Sequence, residues 1–202
     1  MTIRRRDMLG LLGSAAIAGG LSGLAAPARA AGDMSALECI HTRRSTRKYL
    51  DKPVPDDMIT QLLQAAMTAP SAHNEQPWRF LVVKDREMLE KVSAANRNAG
   101  MAAKAGVGIL VCMDPELAKT KEMAPLDCSN ATMNILLAAH ALGLGGVWTA
   151  AYPEEERMTK YRGLFGIPES IVPFSFVCLG WPEQPGKRED RFKIDRVKYE
   201  RW

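Results

Sequence analysis

The segment at residues 127–142, DCSNATMNILLAAHAL, restricts the fold more than any other part of the chain. Its composition predicts a helix, and Ala131, Met133, Ile135, Leu136, Leu137, Ala138, Ala139 and Ala141 place apolar groups on nearly every side of it. A helix apolar on most sides must be buried on most sides. In one small domain that requires either a central position or a place at a subunit interface. Gly143 and Gly145 follow directly and supply the helix stop.

The remaining elements alternate around this helix. Helical patterns cover 34–42, 56–67, 87–96 and 154–164, with Met58, Ile59, Leu62, Leu63, Ala65 and Ala66 forming one broad face of the second. Apolar, β-branched runs at 80–83, 107–113, 146–149 and 171–179 predict strands. Strands separated by helices predict an α/β (α+β) sandwich, a mixed central sheet covered by helices. Residues 31–202 form one expected domain, and 182–202 read as a polar tail lying across a surface.

Residues 1–30 are of another kind. Arg4, Arg5 and Arg6 precede a Gly- and Ala-rich apolar run that ends at Ala28-Arg29-Ala30. This is the pattern of a cleaved export signal. Paired arginines followed by Asp7-Met8-Leu9 suggest the twin-arginine type, with a periplasmic destination; an N-terminal membrane anchor is the alternative. Loss of Arg4, Arg5, Arg6, Arg29 and Asp7 would take the net charge from +4 to +1. A near-neutral domain gives no support for a nucleic-acid partner. Cys39, Cys112, Cys128 and Cys178 are widely spaced among apolar neighbours and read as buried thiols. The three histidines have no ligand spacing, so no metal site is expected.

The chemistry concentrates at Arg43-Arg44-Ser45-Thr46-Arg47. Guanidinium forks and hydroxyls match phosphate oxygens, although such a run alone also fits a solvated surface. About twenty-five residues on, Pro70-Ser71-Ala72-His73-Asn74-Glu75-Gln76-Pro77-Trp78 forms a polar, proline-bounded loop after a helix. Together these segments resemble the nitroreductase family of flavoproteins. There, an Arg-(Arg/His)-Ser-x-(Arg/Lys) segment and a Pro-Ser-x-x-Asn-x-Gln-Pro-Trp loop belong to the flavin mononucleotide (FMN) site. The resemblance continues at Gly143-Leu144-Gly145-Gly146-Val147-Trp148-Thr149, Lys187, Arg191 and Tyr199-Glu200-Arg201-Trp202, so it spans nearly all of residues 35–202.

The resemblance implies an intertwined homodimer whose tail wraps the partner. It implies a two-step reaction in which NADH or NADPH reduces FMN and a nitroaromatic or quinone-type acceptor reoxidises it. The cofactor supplies the difficult chemistry, which accounts for the lack of a recognisable catalytic triad or carboxylate pair. By the same resemblance, Arg43, Arg44 and Ser45 hold the phosphate with Lys187 and Arg191. Arg47 stabilises the charge of the reduced ring as an electrostatic aid; no side chain is catalytic in its own right. Pro70, Ser71, Ala72 and Asn74 line the flavin from the other subunit, while Trp148, Thr149 and Ala150 pass behind the ring.

Where some relatives carry Pro-x-Glu-Gly, this chain has Trp148-Thr149-Ala150-Ala151, so only a backbone contact is expected there. Residues 96–104 and 116–125 are candidates for a lid over the acceptor. Two other readings stay open: a flavin-dependent reductive dehalogenase, and a flavin-binding or sensing dimer without turnover. The dehalogenase reading lacks a Glu-x-x-Tyr-x-x-x-Lys-like substrate grip between Ala94 and Lys121.

Overall fold

The structure, a computed structural model, describes residues 34–184, 186 and 188–202; the expected export signal at 1–30 and Lys187 lie outside the described residues. In chain order the main elements are α1 (Ala36–Thr42), α2 (Asp56–Met67), β1 (Trp78–Val83), α3 (Arg86–Ala95) and β2 (Val107–Met113). They continue as α4 (Ala124–Ala141), β3 (Gly145–Ala150), α5 (Glu155–Phe165) and β4 (Val172–Gly180). The sheet order is β1-β2-β4-β3, and each ladder is antiparallel. Its parallel component is a single bridge from Ser45 to Gly146.

Strand β2 shows why this is a sandwich. Every residue from Val107 to Met113 is buried, so helices must cover both faces. Val107, Ile109, Val111 and Met113 pack with Ile59, Leu62 and Ala66 of α2 and Ala131, Ile135 and Ala139 of α4. Leu110 and Cys112 point the other way, toward Leu89 and Val92 of α3 and Met158 and Tyr161 of α5. This alternation is the period-two signature of a strand. Pro173 cannot donate to a ladder, and it sits opposite Cys112 beside a register shift. A bulge is where a proline is tolerated inside a sheet.

Helix α4 takes the central position that its composition requires. It begins at Ala124, three residues before the expected start, because Pro125 occupies the first turn, where its missing N–H has no partner to lose. Gly143, at φ 80°, closes it in the left-handed region. The four cysteines are free and buried, as their apolar surroundings suggest. Burial pushes the Cys112 and Cys178 thiols up to about 12.

Residues 96–104 are not a lid. Asn96 caps a short 3-10 helix, Arg97–Lys104, in which Ala99 and Ala102 are wholly buried against the core. Small side chains hid this contact, since alanine carries little periodic signal. The same economy of space appears at Gly108, where an added Cβ would overlap the Phe176 ring. Gly108→Ala is therefore expected to lower stability by about 1–3 kcal/mol, as overpacking does. Denaturant unfolding checks this, and a midpoint equal to the parent's contradicts it.

Candidate functional site

The basic segment is pinned from both sides. Thr46 N–H donates to Gly146 O at 3.0 Å, and the buried Tyr49 hydroxyl lies 2.6 Å from Thr46 O and 3.0 Å from Cys178 O. Gly145 is required here because a Cβ would collide with the Thr46 side chain. The run of glycines after α4 thus lets the basic segment lie against β3.

Arg44 is the centre of the cluster. Its Nη1 donates to His41 O at 3.2 Å and to Arg43 O at 2.7 Å, while Nε and Nη2 are buried without a hydrogen-bond partner. Unsatisfied buried donors of a charged group are costly, more so than the gain from an average hydrogen bond. A cleft of about 740 Å³ opens beside them, lined by Arg43, Arg44, Arg188, Glu189 and Arg191. Burial, then the Arg44 and Arg191 charges, lower the pKa of Arg43. Three guanidiniums so placed repel one another and require an anion.

Two acids, Asp190 and Glu189, line the same cleft, and the arginines are met by Glu189. Its carboxylate accepts from Arg191 at 2.6 and 2.9 Å and lies 3.9 Å from Arg44 Nε. The Arg191 hydrogen bonds and charge hold Glu189 below the usual carboxylate range. Nothing in the basic motif foretold this acid. A carboxylate two residues before a candidate phosphate arginine was the available signal.

On the inner side, His140 of α4 meets α1. Its Nε2 is 2.8 Å from Thr42 Oγ1, which also lies 2.6 Å from Glu38 O. Burial, aided by Arg43 and Arg44, lowers the His140 pKa and favours the neutral ring. Ser45 and Arg47 are exposed and line an adjoining cleft of about 260 Å³ with Lys48 and Glu183.

Strand β3 contributes an edge. Among the described strands it pairs with β4 alone, and on its other side Gly146 O accepts from Thr46 N–H. By alternation the Trp148 N–H lies on that same open edge, whereas Thr149 faces β4. Trp148 is half-buried with its ring 5.8 Å from Phe174, and the Thr149 hydroxyl donates to Phe176 O at 2.8 Å. Thr149 therefore supports the strand from the core. Ala150 is exposed, and its carbonyl accepts from Asn96 Nδ2 at 3.4 Å.

The loop at 70–76 stands elsewhere. Ala72 N–H donates to Asp127 Oδ1 at 3.0 Å, and Asn130 Nδ2 donates to Pro70 O at 3.2 Å. Ser71 Oγ accepts from Gln76 N–H, and Asn74 Oδ1 from Gln76 Nε2. Both anchors are in the first half of α4, whereas α1 and the arginine cluster attach at Leu137 and His140. At about 1.5 Å per residue, Asp127 and His140 lie about 20 Å apart along the helix axis. One chain does not bring the two motifs together.

Helix α4 and its neighbour α1 also expose apolar side chains. Leu126 is 56% exposed and Met133 40%, and on α1 Leu37 and Ile40 are 70% and 56% exposed. Phe192, Ile194, Tyr199 and Trp202 of the tail are also exposed. An apolar surface of this extent marks an interaction face.

Comparison with known proteins places this arrangement. A protein of Methanothermobacter thermautotrophicus, provisionally named an NADH dehydrogenase/NAD(P)H nitroreductase, is 51% identical over 170 residues, 84% of this chain and 88% of its own. The solved structure of a provisionally named NADH oxidase from Clostridium acetobutylicum is 40% identical, with TM-score 0.80, covering 81% of this chain and 99% of that one. A provisionally named nitroreductase from Desulfovibrio desulfuricans, solved in complex with FMN, is 31% identical with TM-score 0.72, covering 84% and 99%. The profile of the Nitroreductase family matches residues 40–115 and 95–181, which carry the arginine segment, the proline-bounded loop and the β3 edge. By fold, sequence and the placement of these segments, the chain belongs to the Nitroreductase family.

Proposed function

We propose that this chain is an FMN-dependent NAD(P)H oxidoreductase that reduces nitroaromatic or quinone-type acceptors, working as a homodimer with each site shared between two chains. The observation that carries the reading is Arg44, with two buried donors that lack a hydrogen-bond partner beside a cleft rich in arginine. That geometry suits a phosphate dianion, which accepts several charge-assisted hydrogen bonds at once.

When bound, FMN supplies the hydride- and electron-transfer chemistry. Arg43, Arg44 and Arg191 would hold its phosphate, with Ser45 adding a hydroxyl and Lys187 joining from outside the described residues. Glu189 must release Arg191 and turn from the cleft for the phosphate to enter. Arg47 would place a positive charge where the reduced ring carries negative charge, an electrostatic role that needs no proton transfer. The Trp148 N–H at the open edge of β3 offers a fixed backbone donor. A partner's Pro70, Ser71, Ala72 and Asn74 would close the ring side, which is why the exposed apolar side chains of α4, α1 and the tail matter. Residues 116–125 remain the proposed acceptor-side segment; Glu75 joins it to the loop by accepting from Lys119 N–H at 2.9 Å.

Export through the leader-like residues 1–30, to a periplasmic location, is a further part of this reading and rests on the sequence alone. Stopped-flow mixing of purified holoprotein with NADH and with NADPH tests the activity. Bleaching of the flavin band by at least one donor, followed by reoxidation on adding a nitroaromatic or a quinone, is expected. A flavin that neither donor reduces would leave a binding or sensing dimer as the better account.

A further inference from the structure

The loop at 70–76 is held in a conformation it would not choose. His73, Asn74 and Gln76 have φ values of 51°, 58° and 52°, in the left-handed region that side chains other than glycine rarely occupy. Asparagine and histidine tolerate this better than glutamine does. Such a backbone persists only where its surroundings determine it, and clusters of this kind mark functional sites.

Hydrogen bonds inside the loop hold residues 74–76, and a polar stripe on α4 anchors the stretch that leads into them. Asp127, Asn130 and Asn134 are spaced three and four residues apart, so they share one helix face. Asn134 Nδ2 donates to Ala65 O at 2.9 Å near the end of α2, Asn130 Nδ2 to Pro70 O at 3.2 Å, and Ala72 N–H to Asp127 Oδ1 at 3.0 Å. The three contacts follow the backbone from the last turn of α2 into the first residues of the loop. Asp127 is the deepest of them. It is only 3% exposed, and its Oδ2 is buried with no hydrogen-bond partner. A buried carboxylate retained for a single hydrogen bond is expensive to keep, and hydrophobic residues of similar volume would serve the core as well or better. Its contribution is therefore to the loop and not to packing.

The geometry points to Asp127 as a positioning residue: through the Ala72 N–H it fixes the Ser71–Asn74 backbone in the shape that the partner's flavin site receives. The inference rests on the FMN reading above. Asp127 touches no reacting atom. It acts through the loop, and its loss loosens the site without removing any group that contacts the cofactor.

Three full-length variants test this as purified proteins, with parent-like far-UV circular dichroism and dimer mass as entry conditions. Asp127→Ala is expected to raise amide hydrogen exchange across 71–76 by about tenfold or more, weaken FMN binding by about tenfold and change the visible circular dichroism of the bound flavin. Asp127→Asn keeps an oxygen acceptor and is expected to restore all three to within about threefold of the parent. Ala72→Pro removes the donor while leaving α4 untouched. Ser71 already has φ −137° and ψ 154°, the extended conformation a following proline favours. It is expected to match Asp127→Ala in exchange across 73–76, and it decides the matter if Asp127→Ala does not fold.

Parent-like exchange and FMN affinity in Asp127→Ala or Ala72→Pro would overturn the assignment, as would an Asn variant as loose as the Ala variant. A parent that binds no FMN, with the exchange changes still seen in the variants, would remove the flavin reading while leaving the clasp itself standing. Parent binding of FMN with no change in any variant would remove the Asp127 inference alone.

Discussion

Arg44→Ala is expected to weaken FMN binding by about a hundredfold while leaving the fold intact. Two donors, Nε and Nη2, are buried without a hydrogen-bond partner, Nε having only the Glu189 carboxylate at 3.9 Å, and each gains a charge-assisted hydrogen bond when a phosphate arrives. Such bonds contribute about 1.5–3 kcal/mol each, and about 1.4 kcal/mol is a tenfold change in affinity. Arg44→Lys should recover only part of the loss, because an ammonium lacks the planar fork. The two carbonyls at His41 and Arg43 that Nη1 serves would lose a donor, so a modest stability loss accompanies the binding defect. Arg47→Ala provides the contrast. It lies exposed in the adjoining cleft, and its removal should slow flavin reduction more than it weakens binding. Quenching of flavin fluorescence on titration measures the affinities, and stopped-flow absorbance the reduction rates. Equal effects of the two substitutions on both quantities would dissolve this division of roles.

The elements with strong periodicity were legible in the sequence. Helix α2 spans residues 56–67 as expected, because Pro53 and Pro55 bound it before and Pro70 after, and its apolar face repeats cleanly. Strand β2 is found at 107–113 because an unbroken apolar run of seven has no other place than a covered sheet. Where pattern was weak, expectation and structure part. Arg97–Lys104 is folded on alanine contacts, and the proline in the first turn of α4 concealed three residues of helix.

The site divides along the same line. Arginines announce themselves by type, so the basic cluster could be singled out, whereas Gly145, read as part of the helix stop, also makes room for Thr46. Asp127 could not be singled out, because its partner Ala72 is 55 residues away and contributes only a backbone N–H. The left-handed φ value at Gln76 was equally hidden, since glutamine does not suggest it. Within the segment at 148–150, the Thr149 hydroxyl is committed to Phe176 O in the core, a bond its residue type does not reveal. Residue type thus identifies groups that meet a ligand, whereas groups that hold other groups in place become visible only with the fold.

The largest effect concerns assembly. The arginine cluster and the 70–76 loop attach near opposite ends of α4, so the account requires that each flavin site take its arginines from one chain and its loop from the other. An isolated chain would then retain FMN poorly, and either defect should be repaired by a partner that carries the other. The decisive measurement pairs Arg44→Ala with Ala72→Trp, a loop variant that crowds the ring side, each expected to lose tight FMN binding as a homodimer. Co-expressed with different affinity tags and purified as the mixed dimer, they should bind one FMN per dimer with parent affinity, because one site then carries both defects and the other carries none. A mixed dimer that binds no FMN tightly would mean that both motifs serve a site within a single chain, contradicting the shared site on which this account rests.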